Sequence, residues 1–315
     1  MSQEKPLISV LMPVCNSEKY ISKAMDSILN QTYENFELLI ADSSQDYTSE
    51  IIRSFRDSRI IYYNVKNYSI PKALNFLLEK SKGEFIARMD ADDICDVKKL
   101  QTQLDFLIDY NEMVILGTNF YYISESGKVL FEKKMPEQHK DIEFTMPIYS
   151  SILHPTIMCK KSVFNKVGNF NTKYLIEDVE FFLRCMEKGI KFINIQFPLY
   201  YYRVKEKNKI VLLTQKKEQY KLGYEYITKH KNENYYLRLA LLEYYNGQMK
   251  NARKFFLKFS RINPKKYFFI LRYLPLTFLG SKITNFFRDN LLLLKINFFL
   301  NRFFRLDMRK IYYNQ

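Results

Sequence analysis

Three carboxylates stand within four residues at Asp90, Asp92 and Asp93, in the run Arg88-Met89-Asp90-Ala91-Asp92-Asp93. They close an apolar segment, Glu84-Phe85-Ile86-Ala87, which follows the turn signal Lys82-Gly83 and reads as a buried strand. Negative charge concentrated at the end of a strand needs cationic company. A hard divalent ion held by oxygen ligands, with a substrate phosphate completing its shell, supplies it. Alternation along an extended chain points Asp90 and Asp92 the same way, so that both address one ion. Taken alone, an Asp-Ala-Asp also suits a solvated acidic turn ahead of a helix beginning near Val97. The surrounding elements decide between the two.

Residues 7–14, Leu-Ile-Ser-Val-Leu-Met-Pro-Val, form a continuous apolar run suited to a parallel strand covered on both faces. Asn16 or Ser17 is placed to cap the next segment, where Ile21, Ala24, Met25 and Ile28 recur at helical spacing. A second buried strand, Phe36 to Ala41, ends in Asp42-Ser43-Ser44-Gln45-Asp46. A helix from about Thr48 to Phe55, a strand over Arg59–Tyr63 and a helix over Pro71–Lys80 lead to the strand that enters Asp90. Strand and helix alternate with short links, the pattern of a doubly wound α/β sheet, whose ligands sit beyond the carboxyl ends of the strands. Both acidic loops, at Asp42 and at Asp90, fall on that side.

Beyond the acidic cluster come a helix carrying Leu100, Leu104 and Leu107, a strand at Val114–Gly117 and a hairpin around Ser126-Gly127. His154-Pro155-Thr156-Ile157-Met158 opens another strand. Glu177-Asp178 precede an amphipathic helix from Val179 to Lys188, which Gly189 ends. Tyr200-Tyr201-Tyr202-Arg203 closes a first module, residues 1–204.

At 315 residues the chain has room for one large core with a smaller appendage, and its charge is lopsided. Residues 205–315 hold 24 Lys and Arg against 7 Asp and Glu, a balance of +17 in a chain of net charge +15, so residues 1–204 carry −2. The four cysteines, Cys15, Cys95, Cys159 and Cys185, are widely spaced and have only three histidines for company. That argues against a zinc site or a disulfide framework and fits a reducing cytoplasm. Glu4 and Lys5 precede an apolar run ending at Pro13, which reads as a first strand rather than a signal peptide.

From residue 205 the texture is helical, aromatic and basic. Tyr236 to Pro264 reads as a helical hairpin, with Leu239, Leu242 and Tyr244 before Gly247 and Ala252, Phe256 and Phe259 after it. Its spacing is similar to one tetratricopeptide unit, a weak sign when single. Farther on, Arg288, Lys295, Arg302 and Arg309 fall seven apart among Phe and Leu residues. No uncharged stretch there approaches the roughly 18 residues that span a bilayer. A basic, apolar-faced helix of this kind lies in an anionic membrane interface, or packs on the first module with its basic face solvated. The first reading places the protein at the inner face of the cytoplasmic membrane.

With these elements in place, the chain resembles family 2 glycosyltransferases of the GT-A fold, a Rossmann-like mixed α/β sheet flanked by helices, over about residues 7–204. Four blocks carry the resemblance: Pro13-Val14-Cys15-Asn16; Gln31-Thr32-Tyr33 leading to Ile40-Ala41-Asp42-Ser43-Ser44; Gly83 through Asp93; and Glu177-Asp178. The resemblance implies that Pro13, Asn16 and Asp42 hold the base of a nucleotide-sugar. Asp90 and Asp92 become the ribose and metal pair, Asp92 bridging Mn²⁺ or Mg²⁺ to the diphosphate, with Asp93 a supporting group or helix cap. Asp178, beside Glu177, becomes the base that deprotonates an acceptor hydroxyl as it attacks the anomeric carbon, with inversion. The alternative for that pair is an acidic first turn favoured by the helix dipole. His154 resembles a position on the acceptor side, and a His-Pro turn explains it equally well. The chain departs from the family at Cys15, more often Tyr, and at Ala41-Asp42-Ser43-Ser44, more often Asp-Asp-Gly-Ser.

The implied activity moves a hexose from a UDP-sugar to a glycan or lipid-linked acceptor, in building capsule, O-antigen or lipooligosaccharide. Nucleotidyl transfer on a similar sheet would want a glycine-rich basic loop, and Asn16–Tyr20 offers one Lys and no Gly. A nucleic-acid binder would spread its charge more widely than this tail does, so nucleic acid is not an expected partner. A partner-binding helical module at residues 205–270 on a catalytically dead domain is the remaining alternative, which the intact carboxylates oppose.

Overall fold

The computed structural model describes residues 5–263, apart from 109, 111 and 206–208. The amphipathic helix expected at residues 281–315 lies outside the described residues. In chain order the elements are β1 (Ile8–Val14), α1 (Ile21–Leu29), β2 (Phe36–Asp42), α2 (Thr48–Ser54), β3 (Ile60–Asn64), α3 (Ile70–Lys80), β4 (Phe85–Arg88) and β5 (Ile94–Cys95). Next come α4 (Lys99–Ile108), β6 (Val114–Ile123), β7 (Val129–Lys133), α5 (His139–Thr145), a 3-10 turn (His154–Thr156), β8 (Met158–Lys160), α6 (Ser162–Val167), α7 (Glu177–Glu187) and β9 (Lys191–Arg203). Helices α8 (Lys209–Lys229), α9 (Tyr235–Tyr245) and α10 (Met249–Ile262) complete the described chain.

One mixed sheet organises the first part, in the order β3-β2-β1-β4-β8-β6-β9-β5, with β7 paired to β6. Strands β3, β2, β1 and β4 run parallel; β1, β2 and β4 are apolar runs buried on both faces, and β3 is a partly exposed edge strand. Strand β8 is antiparallel to both β4 and β6, and β9 runs parallel to β6. The carboxyl ends of β1, β2 and β4 therefore lie on one side of the sheet, and so do the loops at Asn16, Asp42 and Asp90. Buried polar contacts pin the opposite ends: Ser9 donates its hydroxyl to Glu37 (2.6 Å), and Gly83 donates its amide to the same Ser9 oxygen (2.8 Å). A Cβ at Gly83 would stand 2.5 Å from the Ser9 nitrogen, so only glycine lets this turn approach β1.

Several local expectations are corrected. Helix α1 begins at Ile21 behind Tyr20 with no side-chain cap. Asn16 and Ser17 do not cap it, because Asn16 spends its side chain on the Gln45 amide, 2.9 Å away. Residues 154–156 form a 3-10 turn rather than opening a strand, since the proline after His154 fits a tight turn, and pairing starts only at Met158. Glu177 and Asp178 lie inside the first turn of α7, while Gly189 (φ 73°) follows its end as expected.

By compactness the chain divides into Met1–Gln219 and Tyr220–Gln315, inside α8 rather than at the end of β9. The first turns of α8 stay with the sheet unit because Glu218 accepts the Leu175 amide at 2.9 Å and Gln219 reaches the Met146 carbonyl at 3.4 Å. In the second unit α9 and α10 form the helical hairpin around Gly247, burying Leu239, Leu242, Ala252, Phe256 and Phe259. Its buried Glu243 accepts hydrogen bonds from Tyr220 (2.9 Å) and Asn251 (3.4 Å). Among the described residues no helix is long and apolar enough to cross a membrane.

Candidate active site

The loops after β1 and β2 are stitched together before any ligand is considered. Pro13 pairs with Ala41 and Val14 with Asp42 in register. Asn16 takes a left-handed backbone (φ 47°), a conformation that asparagine tolerates better than most residues. Its amide donates to the Ser44 hydroxyl at 2.8 Å. Asp42 is fully buried. One of its oxygens accepts the Ser44 amide (2.9 Å), and the other accepts the hydroxyls of Ser49 (2.6 Å) and Tyr62 (2.9 Å). Asp42 thus shapes its own loop. Cys15 beside it is exposed.

At the end of β4 the chain does not continue extended, as the alternation argument required. It turns, with the Asp93 amide directed back to the Asp90 carbonyl (3.5 Å). A turn gathers all three carboxylates instead of two. One ligand oxygen from each of Asp90, Asp92 and Asp93 lies within 4.8 Å of the others. Three hard oxygen donors at that spacing fit a divalent ion such as Mg²⁺ or Mn²⁺. Each carboxylate is also held by a cation or an amide of the protein. Asp90 pairs with Arg88, Asp92 with Lys205 (2.5 Å), and Asp93 accepts the Arg203 amide (2.7 Å). Burial first, then the charges of Asp90 and Asp92, hold the Asp93 carboxyl well above the usual carboxylate range.

The second acidic pair heads α7. Burial and the neighbouring Asp178 charge push the Glu177 carboxyl up to about 7. Asp178 is raised as well, chiefly by burial, against the Val179 amide and the Arg88 charge, which pull it down. Arg88 and Asp90 act on both members of the pair, so the ends of β4 and α7 meet electrostatically at one place. His154 is buried, packed on Phe170 and Phe182, with its Nδ1 at 3.7 Å from a Glu177 oxygen, too far for a hydrogen bond. Burial and the Arg88 charge keep its imidazole neutral, well below its ordinary pKa.

The structure therefore gathers Asp90, Asp92 and Asp93 in one turn at the end of β4, heads α7 with Glu177 and Asp178, sets Asn16 and Asp42 on the loops after β1 and β2, and buries His154 beside Glu177. Four groups at the site were given no role from the sequence. Arg88 is one. Tyr200 accepts the Asp90 amide on its hydroxyl at 3.1 Å, and Arg203 donates from Nε to the Asp92 carbonyl at 2.6 Å. Lys205 lies on Asp92 and over the Tyr20 ring, which Arg203 also faces. Tyr200, Arg203 and Lys205 come from β9 and its end, more than a hundred residues beyond the turn they grip, at a distance where no spacing rule operates.

A mixed sheet whose parallel strands end in a three-aspartate turn, with a second acidic pair heading α7, has the GT-A architecture and an arrangement suited to a nucleotide-sugar. Residues 9–168 match the family model of glycosyl transferase family 2. The O-antigen biosynthesis glycosyltransferase WbnJ of Escherichia coli is 33% identical over 209 residues, 64% of this chain and 81% of that protein. An uncharacterized glycosyltransferase of Methanocaldococcus jannaschii is 30% identical over 241 residues, 74% of this chain and 82% of its own. Among solved structures, residues 1–349 of S. aureus TarS in complex with UDP superpose with a TM-score of 0.56 at 18% identity, covering 88% of this chain and 87% of that one. The mannosyltransferase PcManGT of Pyrobaculum calidifontis, in complex with GDP-Man and Mn²⁺, superposes with a TM-score of 0.56 at 14% identity, over 91% and 89% of the two chains. The chain belongs to glycosyltransferase family 2, and it is a glycosyltransferase.

Proposed function

We propose that this enzyme is an inverting, metal-dependent glycosyltransferase that moves a hexose from a UDP-sugar to a hydroxyl of a glycan or lipid-linked acceptor, in bacterial surface-polysaccharide synthesis. The observation that carries the reading is the turn that draws Asp90, Asp92 and Asp93 together at the carboxyl end of β4. The UDP bound by TarS and the O-antigen assignment of WbnJ support the donor and the pathway class.

In this reading Pro13, Asn16 and Asp42 border the base, Asp90 faces the ribose, and Asp90 and Asp92 hold Mn²⁺ or Mg²⁺ with Asp93 in support. When bound, such an ion supplies Lewis-acid stabilisation of the charge that gathers on the departing diphosphate. Asp178 takes the proton of the acceptor hydroxyl. The hydroxyl oxygen then bonds to the anomeric carbon from the face opposite the diphosphate, the carbon–oxygen bond to the diphosphate breaks, and configuration inverts. Glu177 shares the charge of the pair, and His154, buried beside it, belongs to the acceptor side.

The test is a panel of nucleotide-sugars assayed for Mn²⁺-dependent release of the nucleoside diphosphate. Release from one UDP-sugar above the others is the expected result. No release from any of them, with or without acceptor glycans, would sink the proposal. Lys205 offers a separate check, because its ammonium lies where a cation must displace it from Asp92. A partly exposed ion pair of this kind is worth roughly 0.2–1 kcal/mol. Lys205→Met should therefore tighten binding of Mn²⁺ alone by about 1.5- to 5-fold in isothermal titration. Weaker binding would show that Lys205 assists the ion and does not compete with it.

A further inference from the structure

Helix α8 carries apolar side chains where a helix on a protein surface normally carries polar ones. Ile210, Val211 and Leu213 are 73%, 42% and 58% exposed, and Leu175, on the loop that enters α7, is 51% exposed. One exposed apolar side chain is ordinary. Three within four residues of one helix, with a fourth on the loop that the helix holds, form a patch. The loop is held by Glu218 of α8, which accepts the Leu175 amide at 2.9 Å. Val211 and Glu218 are seven residues apart, about 10 Å along the axis and on one face, so Leu175 stands beside the face that carries Val211.

Charge accompanies the patch. Ile210, Leu213 and Lys217 follow one another at the spacing that forms one stripe of a helix, and Lys216 lies three residues after Leu213. Both lysines are exposed, and no carboxylate shares the stripe. Apolar tips followed directly by ammonium groups are complementary to a surface that is apolar beneath and negatively charged at its rim. An anionic bilayer is such a surface: its acyl chains receive the aliphatic side chains and its headgroups receive the lysines. A second copy of the chain would present the same tips and the same lysines, with no carboxylate on the stripe to receive them.

We propose that this face of α8, together with Leu175, rests on an anionic lipid surface. The contact is separate from the helix expected at residues 281–315 and does not require it. It rests on the proposed function only for its use. Leu175 lies two residues ahead of Glu177, so a lipid-linked acceptor would approach Asp178 from the surface on which the patch sits.

The chain contains no tryptophan, so a single introduced one reports its own surroundings. The experiment uses full-length Leu213→Trp and, as control, full-length Phe106→Trp, which alters an exposed ring of α4 beside the exposed Asp105. Each is mixed with vesicles of equal parts phosphatidylcholine and phosphatidylglycerol carrying brominated acyl chains. Leu213→Trp should shift its emission to the blue and lose most of it to the bromines, while Phe106→Trp should keep its emission. On pure phosphatidylcholine vesicles neither should change. In the wild-type background, Lys216→Gln and Lys217→Gln should each weaken partitioning to the anionic vesicles by about five-fold.

Pelleting with the anionic vesicles while Leu213→Trp stays unquenched would put the lipid contact elsewhere in the chain and overturn the proposal. Equal quenching of the two tryptophans would mean adsorption without orientation, and overturns it as well. Absence of pelleting, or partitioning indifferent to both lysines, does the same and leaves the face to a protein partner. Should Leu213→Trp fail to fold, Leu175→Trp reads the same contact from the loop. None of these readouts needs turnover. A protein that meets lipid through this face yet transfers no sugar would sink the functional reading and leave the lipid contact standing.

Discussion

Asp178→Asn is expected to lower sugar transfer by roughly 10²–10⁴-fold, the range a positioned general base contributes. Binding of UDP with Mn²⁺ should be unaffected. The asparagine keeps the shape of the side chain at the head of α7 and removes only its capacity to take a proton. Folding should tolerate the change, because burial already disfavours the charge that is removed. The same assignment fixes a pH signature. A base works deprotonated, so activity falls as pH drops through the ionisation of the pair. Both carboxyls are raised, with Glu177 near 7, so the loss should begin well above the ordinary carboxylate range. Because the two groups are adjacent, the limb belongs to the pair rather than to one residue. Steady-state transfer by Asp178→Asn and Glu177→Gln, measured between pH 5 and pH 9, checks this. Full activity in Asp178→Asn with loss in Glu177→Gln would move the base one residue upstream.

The second large effect concerns the carboxylate turn. Asp92→Asn should cost several kcal/mol of transition-state stabilisation, roughly 10²–10³-fold in kcat, by removing an anionic oxygen ligand. Unlike Asp178→Asn, it should also weaken UDP binding in the presence of Mn²⁺ while leaving metal-free UDP binding nearly unchanged. That contrast separates loss of an ion from loss of a base. Turnover of Asp92→Asn at the wild-type rate, with the same Mn²⁺ dependence, would show that the ion is held elsewhere or is not needed.

The parts of the fold that could be read directly were those whose local pattern is self-sufficient. Strands β1, β2 and β4 are short apolar runs bounded by turn signals, and α1 and α3 bury one regular face each. Strand β9 was not legible as a strand, and its last four residues marked only the close of the first module. Its register against β6 slips between Ile195 and Pro198, where extra residues break the alternation, and Phe197 points to solvent. The two-residue β5 and the short helices α5 and α6 owe their existence to neighbours rather than to propensity.

The sequence by itself determined which chemistry was available: an Asp-rich turn ending a buried strand, a second acidic pair opening a helix, and an alternating sheet to carry them. These are local facts, set by residue type and by spacings of a few positions. Only the tertiary structure decided what each carboxylate faces. It bent the Asp90 segment into a turn that recruits Asp93, brought Tyr200, Arg203 and Lys205 back from the far end of the chain, and buried Arg88 against Asp90. The reason is physical: the charge state of a carboxyl depends on what lies within a few ångströms of it. In a folded chain those neighbours are fixed by long-range packing, which no spacing along the sequence encodes.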